Sequence, residues 1–340
     1  MSPVWDDVNA RARGLGRHLA SEQLLDRLAA APDLAALARE LRAAELAGPE
    51  AVDRSPPMLE VAIRRAAGRS FALLLRWLGD RADLVRIVIE DEDRRSLRAL
   101  FRGAAEGASA EVRLAGLLPT PTLPERLLEE LARQHRPRDQ AALLAVWGHP
   151  YASVVLPAAA GDHPDLLRLG LGIDHRFAER ATEGARRGGA ALRAFVADTI
   201  DADNLLGALA LAGRRESDWP VESAFLPGGT RLSRDRFVAA ARAPDRARAA
   251  DIIARAFGDE AIAGVLRARA FELFALEQEL LRLRIRRLRD LARRDPLGPA
   301  PLLRYFLRLR VQVVNLQLLV WGAALGVPPA VRRERLTRVA

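Results

Sequence analysis

Ile200-Asp201-Ala202-Asp203-Asn204-Leu205, followed by Phe225-Leu226-Pro227-Gly228-Gly229-Thr230, is the stretch on which the fold turns. The same frame occurs upstream as Asp93, Ser96-Leu97, Gly103 and Leu118-Pro119. A shortened third version closes the chain as Gln312, Asn315-Leu316 and Gly322. From the Ser or Asn position to the proline the count is 23 in both complete copies (119 − 96 and 227 − 204). A helical unit repeated three times stacks on its neighbours into a shaped body, which is the build of a scaffold.

Composition fits that reading. At 340 residues with 50% apolar content, the chain can bury a large core as one helical domain or as two to three smaller ones. Ala and Leu dominate and aromatics are 5%, which favours helix over strand. There is no cysteine, so disulfides, thiolate catalysis and Cys-type zinc sites are excluded together, and a reducing compartment is compatible. The formal charge is +9, and because the chain contains no lysine all 53 basic residues are arginine. A cationic surface attracts nucleic acid, lipid headgroups or acidic protein faces, and arginine makes forked contacts to carboxylates and phosphates. Met1 to Asp7 carries acids and no apolar run, so no secretory signal is expected there. Val311 to Val331 is free of charge and near the length of a bilayer span, about 20 residues. Gln312, Asn315, Gln317 and Pro328-Pro329, together with the charged matching segments upstream, speak for a buried helix instead.

Along the chain, Leu15, Leu19, Leu24, Leu25 and Leu28 repeat at helical spacing, and Leu34, Leu37 and Leu41 resume after Pro32-Asp33. Gly48-Pro49 and Ser55-Pro56-Pro57 mark a corner or linker, followed by a helix from about Met58 to Gly79. Leu84 to Ile89 is the most strand-like run but leads directly into Glu90-Asp91-Glu92-Asp93 and a helical pattern, so it is assigned to a buried helix. The four acids could chelate a divalent cation; the reading preferred here is that they complement the positive end of a helix. Segments 103–124 and 213–232 are Gly- and Pro-bearing connectors, with Phe225 to Thr230 a turn that opens the next helix. Arg138 to Gly170, broken by His149-Pro150, Pro157 and His163-Pro164, predicts short helices and corners. A long helix is expected from about Glu260 to Arg294, and a last one from near Pro301 to before Pro328. The fold class is therefore all-α, built of stacked helical hairpins.

No catalytic constellation emerges. A nucleotide-binding P-loop needs a lysine, and Gly14-Leu-Gly16 and Gly170-Leu-Gly172 lack the third glycine of a dinucleotide fingerprint. His18, His135, His149, His163 and His175 include no metal-hydrolase pair, and no Gly-x-Ser-x-Gly elbow is present. No cofactor and no metal is expected. Arg282 to Arg294 is the densest basic stretch; a nucleic-acid or lipid surface is one reading, and a solvated face on a core helix is the preferred one.

Several landmarks resemble the C subunit of bacterial and archaeal V/A-type ATPases, called subunit d in eukaryotes. They are Trp5 with Asn9-Ala10-Arg11-Ala12-Arg13-Gly14-Leu15, Ile200 to Leu205, and Phe225 to Gly229. The closing set is Pro296-Leu297-Gly298, Leu302 to Leu307 with Tyr305, Asn315-Leu316, Gly322 and Gly326-Val327-Pro328. The family usually has Glu where this chain has Gln312 and Asn where it has Ser96. The resemblance implies one C/d-like domain over 1–340 with three helical repeats, approximately 1–132, 133–240 and 241–340, set as a pseudo-threefold funnel. It also implies a non-catalytic rotor part on the cytoplasmic side, receiving the shaft of D and F subunits and resting on the membrane proteolipid ring, with lipid headgroups nearby and no nucleic acid. Arg11, Arg13, Asp93, Ser96, Asp201, Asn204, Gly228, Gly229, Tyr305, Gln312 and Asn315 are the motif positions through which such a role would act, as structural or interface residues. Read from the residues alone, a basic α-solenoid binding nucleic acid or an acidic protein stays open as an alternative. An all-helical enzyme would need acids converging in one pocket.

Overall fold

The structure, a computed structural model, describes residues 5–48, 55–161, 164–214 and 220–339. Part of the 48–57 corner, part of the Met1 to Asp7 segment, and His163 lie outside the described residues. Within them there is no strand. Three helices lead the chain: α1 (Asp6–Gly16), α2 (Glu22–Ala29) and α3 (Leu34–Ala43). Then come α4 (Pro56–Leu78), a 3-10 helix (Gly79–Val85), α5 (Arg86–Ala105), α6 (Ala110–Leu114), α7 (Glu125–Arg133), α8 (Pro137–Val146) and α9 (Ala152–Ala158). The second half holds α10 (Leu166–Arg187), α11 (Gly189–Leu211), a 3-10 turn (Val221–Ala224), α12 (Arg234–Ala241), α13 (Arg246–Phe257) and α14 (Glu260–Arg269). It closes with α15 (Leu273–Arg294), α16 (Ala300–Ala324) and α17 (Pro329–Glu334).

Local chemistry sets many of these boundaries. Ser21, Asp33, Ser109, Asp165, Ser233, Asp245 and Asp259 each accept a backbone N–H of the helix they precede. A cap of this kind stabilises its helix by about 1 kcal/mol. Pro56 opens α4 at a position where the missing N–H costs nothing, and Gly79 ends it at φ +54, a conformation glycine adopts without strain. The Leu84 to Ile89 run is helical, as its context suggested: it ends the 3-10 helix and opens α5.

Six long helices form three pairs that are hairpins by chain order: α10 with α11 and α15 with α16 pack directly on each other, whereas α4 and α5 are bridged by the 3-10 helix, which packs on both. The second helix of each hairpin packs on the first helix of another. Thus α5 lies on α10, α11 on α15, and α16 on α4, which closes the order into a cycle. The main core fills this cycle and the layer of α1–α3 and α6–α9 around it; Phe71 of α4 meets Phe306 of α16 with ring centres 4.9 Å apart. A second, smaller core joins the C-terminal half of α11 to α12, α13, α14 and the start of α15, around Phe237, Ile253, Leu266 and Leu276.

One expectation needs correction, and one is met. The helix from Glu260 to Arg294 is broken at Ala270-Phe271-Glu272. No Gly or Pro signals the break; it lets α14 stay with α13 while α15 crosses to α11 and α16, so tertiary packing overrides local periodicity. The charge-free segment is the inner face of the third hairpin: Val311, Val313, Leu316, Leu319 and Val320 are buried in the main core. Among the described residues no helix is long and apolar enough to cross a membrane.

Candidate functional site: three joints and a buried ion hub

The frame residues act where α5, α11 and α16 meet the chain that follows them. In the second copy Asn204 is buried and reads both backbone polar groups of one residue. Its Nδ2 donates to the Leu226 carbonyl at 2.8 Å, and its Oδ1 accepts from the Leu226 N–H at 2.8 Å. One turn earlier, Asp201 accepts the N–H groups of Thr230 (2.9 Å), Arg231 (3.0 Å) and Leu232 (3.1 Å). Gly228 and Gly229 make this approach possible. Gly228 has φ +114, and a Cβ there would stand 2.6 Å from Thr182 Oγ1. A Cβ on Gly229 would stand 2.2 Å from Asp201 Oδ1.

The third copy repeats the clamp. Asn315 Nδ2 donates to the Thr337 carbonyl and its Oδ1 accepts the Thr337 N–H, both at 2.8 Å, across the same 22-residue span as in the second copy. The third frame is therefore not shortened; its clamped residue is simply Thr337, which carries no Leu-Pro signature. Gln312, at the position of Asp201, accepts the Ala20 N–H at 2.6 Å and so ties α16 to the loop before α2.

The first copy is built otherwise. Ser96 is buried, but its one short hydroxyl lacks the reach and the separate donor and acceptor atoms of an amide. Asp93 takes over: its carboxylate accepts the hydroxyls of Thr120 (2.5 Å) and Thr122, and His149 Nε2 lies 3.7 Å away. A second device joins the first and third copies. A Cβ on Gly103 would meet Arg113 Cγ at 2.7 Å, and one on Gly322 would meet Arg332 Cδ at 2.9 Å. Each arginine stands ten residues after its glycine, lies buried across the helix, and donates to carbonyls: Arg113 to Ala108, Ala132 and Gln134, Arg332 to Ala31. That matched spacing was present in the sequence.

The remaining motif positions lie elsewhere, at the turn of the third hairpin. Asn9 donates to the carbonyls of Pro296 and Gly298, Arg13 donates to Pro296, and Arg11 stacks over Trp77 at 5.2 Å. Tyr305 is buried between α16 and α4 and bonded to Ser70; burial raises its hydroxyl pKa.

Sequence reasoning did not foresee the hub on α5. Arg94, 2% exposed, donates to Asp91 (2.7 Å), to Asp174 of α10 (3.2 Å) and to Asp203 of α11 (2.7 Å), with its guanidinium 4.1 Å from the Phe177 ring. Arg95 reaches Glu277 of α15, Glu92 accepts Arg310 of α16, and Glu90 accepts Arg180 of α10. One turn and a half of α5 thus ties together helices of all three hairpins. The Glu90 to Asp93 cluster is accordingly neither a helix cap nor a cation site. Helix α5 starts at Arg86, so the acids sit inside it, each with its own partner, and among the described residues no group of acids or histidines is arranged to hold a metal. Burial works against the Asp91 charge, yet Arg95 and Arg94 outweigh it and hold the carboxyl far below the usual range. For Asp203 burial prevails over Arg94 and the pKa is raised.

The arginines of 282–294 also depart from a solvated face. Arg282 donates to the Leu336 carbonyl, Arg284 to Thr199, and Arg287 pairs with Asp259, while Arg286, Arg293 and Arg294 are exposed. Part of the stretch thus spends donors between elements, and part faces solvent as expected.

No curated protein matches the chain. A family model for the ATP synthase (C/AC39) subunit matches residues 8–335, taking in the first two joints, the hub and the six long helices, and the chain thus belongs to the ATP synthase (C/AC39) subunit family.

Proposed function

We propose that the chain is the non-catalytic central-stalk subunit of a V/A-type rotary ATPase, seated between the D/F shaft and the membrane proteolipid ring. It would work at the cytoplasmic face without entering the bilayer. The observation that carries this reading is the cyclic order of the three hairpins, locked by the α5 hub. A part that transmits torque needs stiffness and shape, and close-packed helices with buried cross-links have low compressibility. In this reading the three hairpins are the walls of a pseudo-threefold funnel, and the joints of Asn204, Asn315 and Asp93 fix each wall to the segment that follows it.

The test is recovery of the tagged chain from native membranes. D, F and proteolipid subunits co-purify in this reading and stay bound through a moderate salt wash. Nucleic acid in their place, with an affinity that falls steeply as salt rises, would overturn it in favour of a basic solenoid.

A further inference from the structure

The third joint differs from its siblings in polarity. Four residues before the Asp or Gln of the frame, α5 has Ile89 and α11 has Ala197, both buried aliphatics. At the same position α16 has Arg308. This guanidinium is half-buried, has no carboxylate or hydrogen-bond partner among the described residues, and its Nε is buried without an acceptor there. Burial lowers its pKa, opposed only in part by the neighbouring Tyr305. One terminal nitrogen lies near Gly16 at the carboxyl end of α1, where the helix dipole favours a cation but supplies no full charge.

Arg308 lines an open cleft of about 270 Å³, together with Leu19, Leu25, Val311, Gln312 and Thr337. Glu22 at its rim is engaged by Arg338 at 3.8 Å. In the first two joints, the frame acid grips donors from an extended segment of this chain: Thr120 and Thr122, or Thr230 to Leu232. Here the acid is replaced by Gln312, whose oxygen is used by Ala20, leaving its side-chain nitrogen as a donor beside Arg308. A cleft that elsewhere holds donors is thus turned to hold acceptors.

We propose that this cleft docks an extended acidic segment of a partner protein, with Arg308 and the Gln312 amide binding a carboxylate and Leu19, Leu25 and Val311 taking the flanking apolar side chains. The claim is independent of the rotor reading, because it concerns the isolated chain.

The experiment titrates the full chain with a fluorescein-labelled Leu-Glu-Leu-Glu-Leu peptide amide and with its Gln counterpart. The Glu peptide binds, the Gln peptide binds at least about tenfold more weakly, and Arg308→Met lowers Glu-peptide affinity by a similar factor, as expected for one lost charged hydrogen bond. Arg294→Met, which removes an exposed arginine on α15, leaves it unchanged. Hydrogen exchange on the unsubstituted chain then slows at 19–25 and 335–339 with the Glu peptide, a readout that survives if Arg308→Met fails to fold. Equal binding of both peptides, equal loss in Arg294→Met, protection elsewhere, or no binding of the Glu peptide would each overturn the proposal. Inorganic phosphate displacing the peptide at millimolar concentration would overturn the peptide as occupant and leave a simple anion site.

Discussion

The hub of α5 and the joint of α11 hold helices together by opposite means. The hub is charged, buried and unique: Arg94 is shared by three carboxylates from three helices. In the joint, beside Asp201, a neutral amide closes on the backbone N–H and carbonyl of a single residue, and this clamp recurs at Asn315. A buried charge network is costly to leave half-made and strongly specifies its partners, whereas an amide clamp adds a modest, context-independent increment that survives duplication. The difference teaches where a repeated architecture keeps its sameness and where it gives it up. Sameness lies at the helix exits, and individuality lies along the shared interior.

That contrast is breakable. Arg94→Met leaves Asp91, Asp174 and Asp203 without their common partner, and we expect a loss of about 3–5 kcal/mol in urea unfolding. A loss below 1 kcal/mol would show the hub to be incidental. Asn204→Ala strips the partner from both the Leu226 N–H and the Leu226 carbonyl and is expected to cost about 2–4 kcal/mol, each orphaned group contributing about 1–3. Asn315→Ala should match it within about 1 kcal/mol, and a large disparity would end the equivalence of the two joints. Gly229→Ala places a methyl on the Asp201 carboxylate, with an expected cost of about 1–3 kcal/mol by overpacking.

Acid separates the two regions more finely. Asp91 has a folded-state pKa well below its unfolded value, so its contribution is present above about pH 4 and is lost as pH falls below that. Asp203 is shifted the other way, which opposes the loss over the range where it takes up its proton. In Asp91→Asn, the slope of stability against pH below 4 should flatten by up to about 1.4 kcal/mol per pH unit, the equivalent of one proton. Asn204→Ala should leave that slope unchanged. The smallest effect is Ser96→Asn, offered as the missing clamp of the first copy. A gain of under about 1 kcal/mol is expected if its amide reaches Leu118, and hydrogen exchange at the 118 amide would report the new bond.

Much of this molecule was legible in its sequence, for reasons that can be named. Helical content followed from Ala and Leu and the ends of α4 and α16 from Pro and Gly, while Asp201, Asn204 and the two glycines stood out by repetition without showing the clamp they make. The hub was not legible. Glu90 to Asp93 looked like the acidic start of a helix because nothing local shows that Asp174, Asp203, Arg180 and Arg310 converge on it from elsewhere in the chain. The break at Ala270-Phe271-Glu272 left no trace because the residues there are ordinary helix formers and neighbours impose the turn. The clamp on Thr337 escaped notice because a backbone peptide unit has no side-chain identity to match. The Gly103–Arg113 and Gly322–Arg332 pairs were visible in principle, as a ten-residue spacing shared by two copies.

The cyclic order of the hairpins has one more consequence. An open stack of repeats has two ends, tolerates gain or loss of a unit, and unravels from its edges. Here α16 packs on α4, and the 3-10 helix packs on both α4 and α5, so the series is closed through that link. Deleting one hairpin would bare two apolar flanks at once, and adding one would have to prise apart a contact already made. The number of units is thereby counted by the geometry itself, and the ring should melt as a whole, with no fraying end from which unfolding begins.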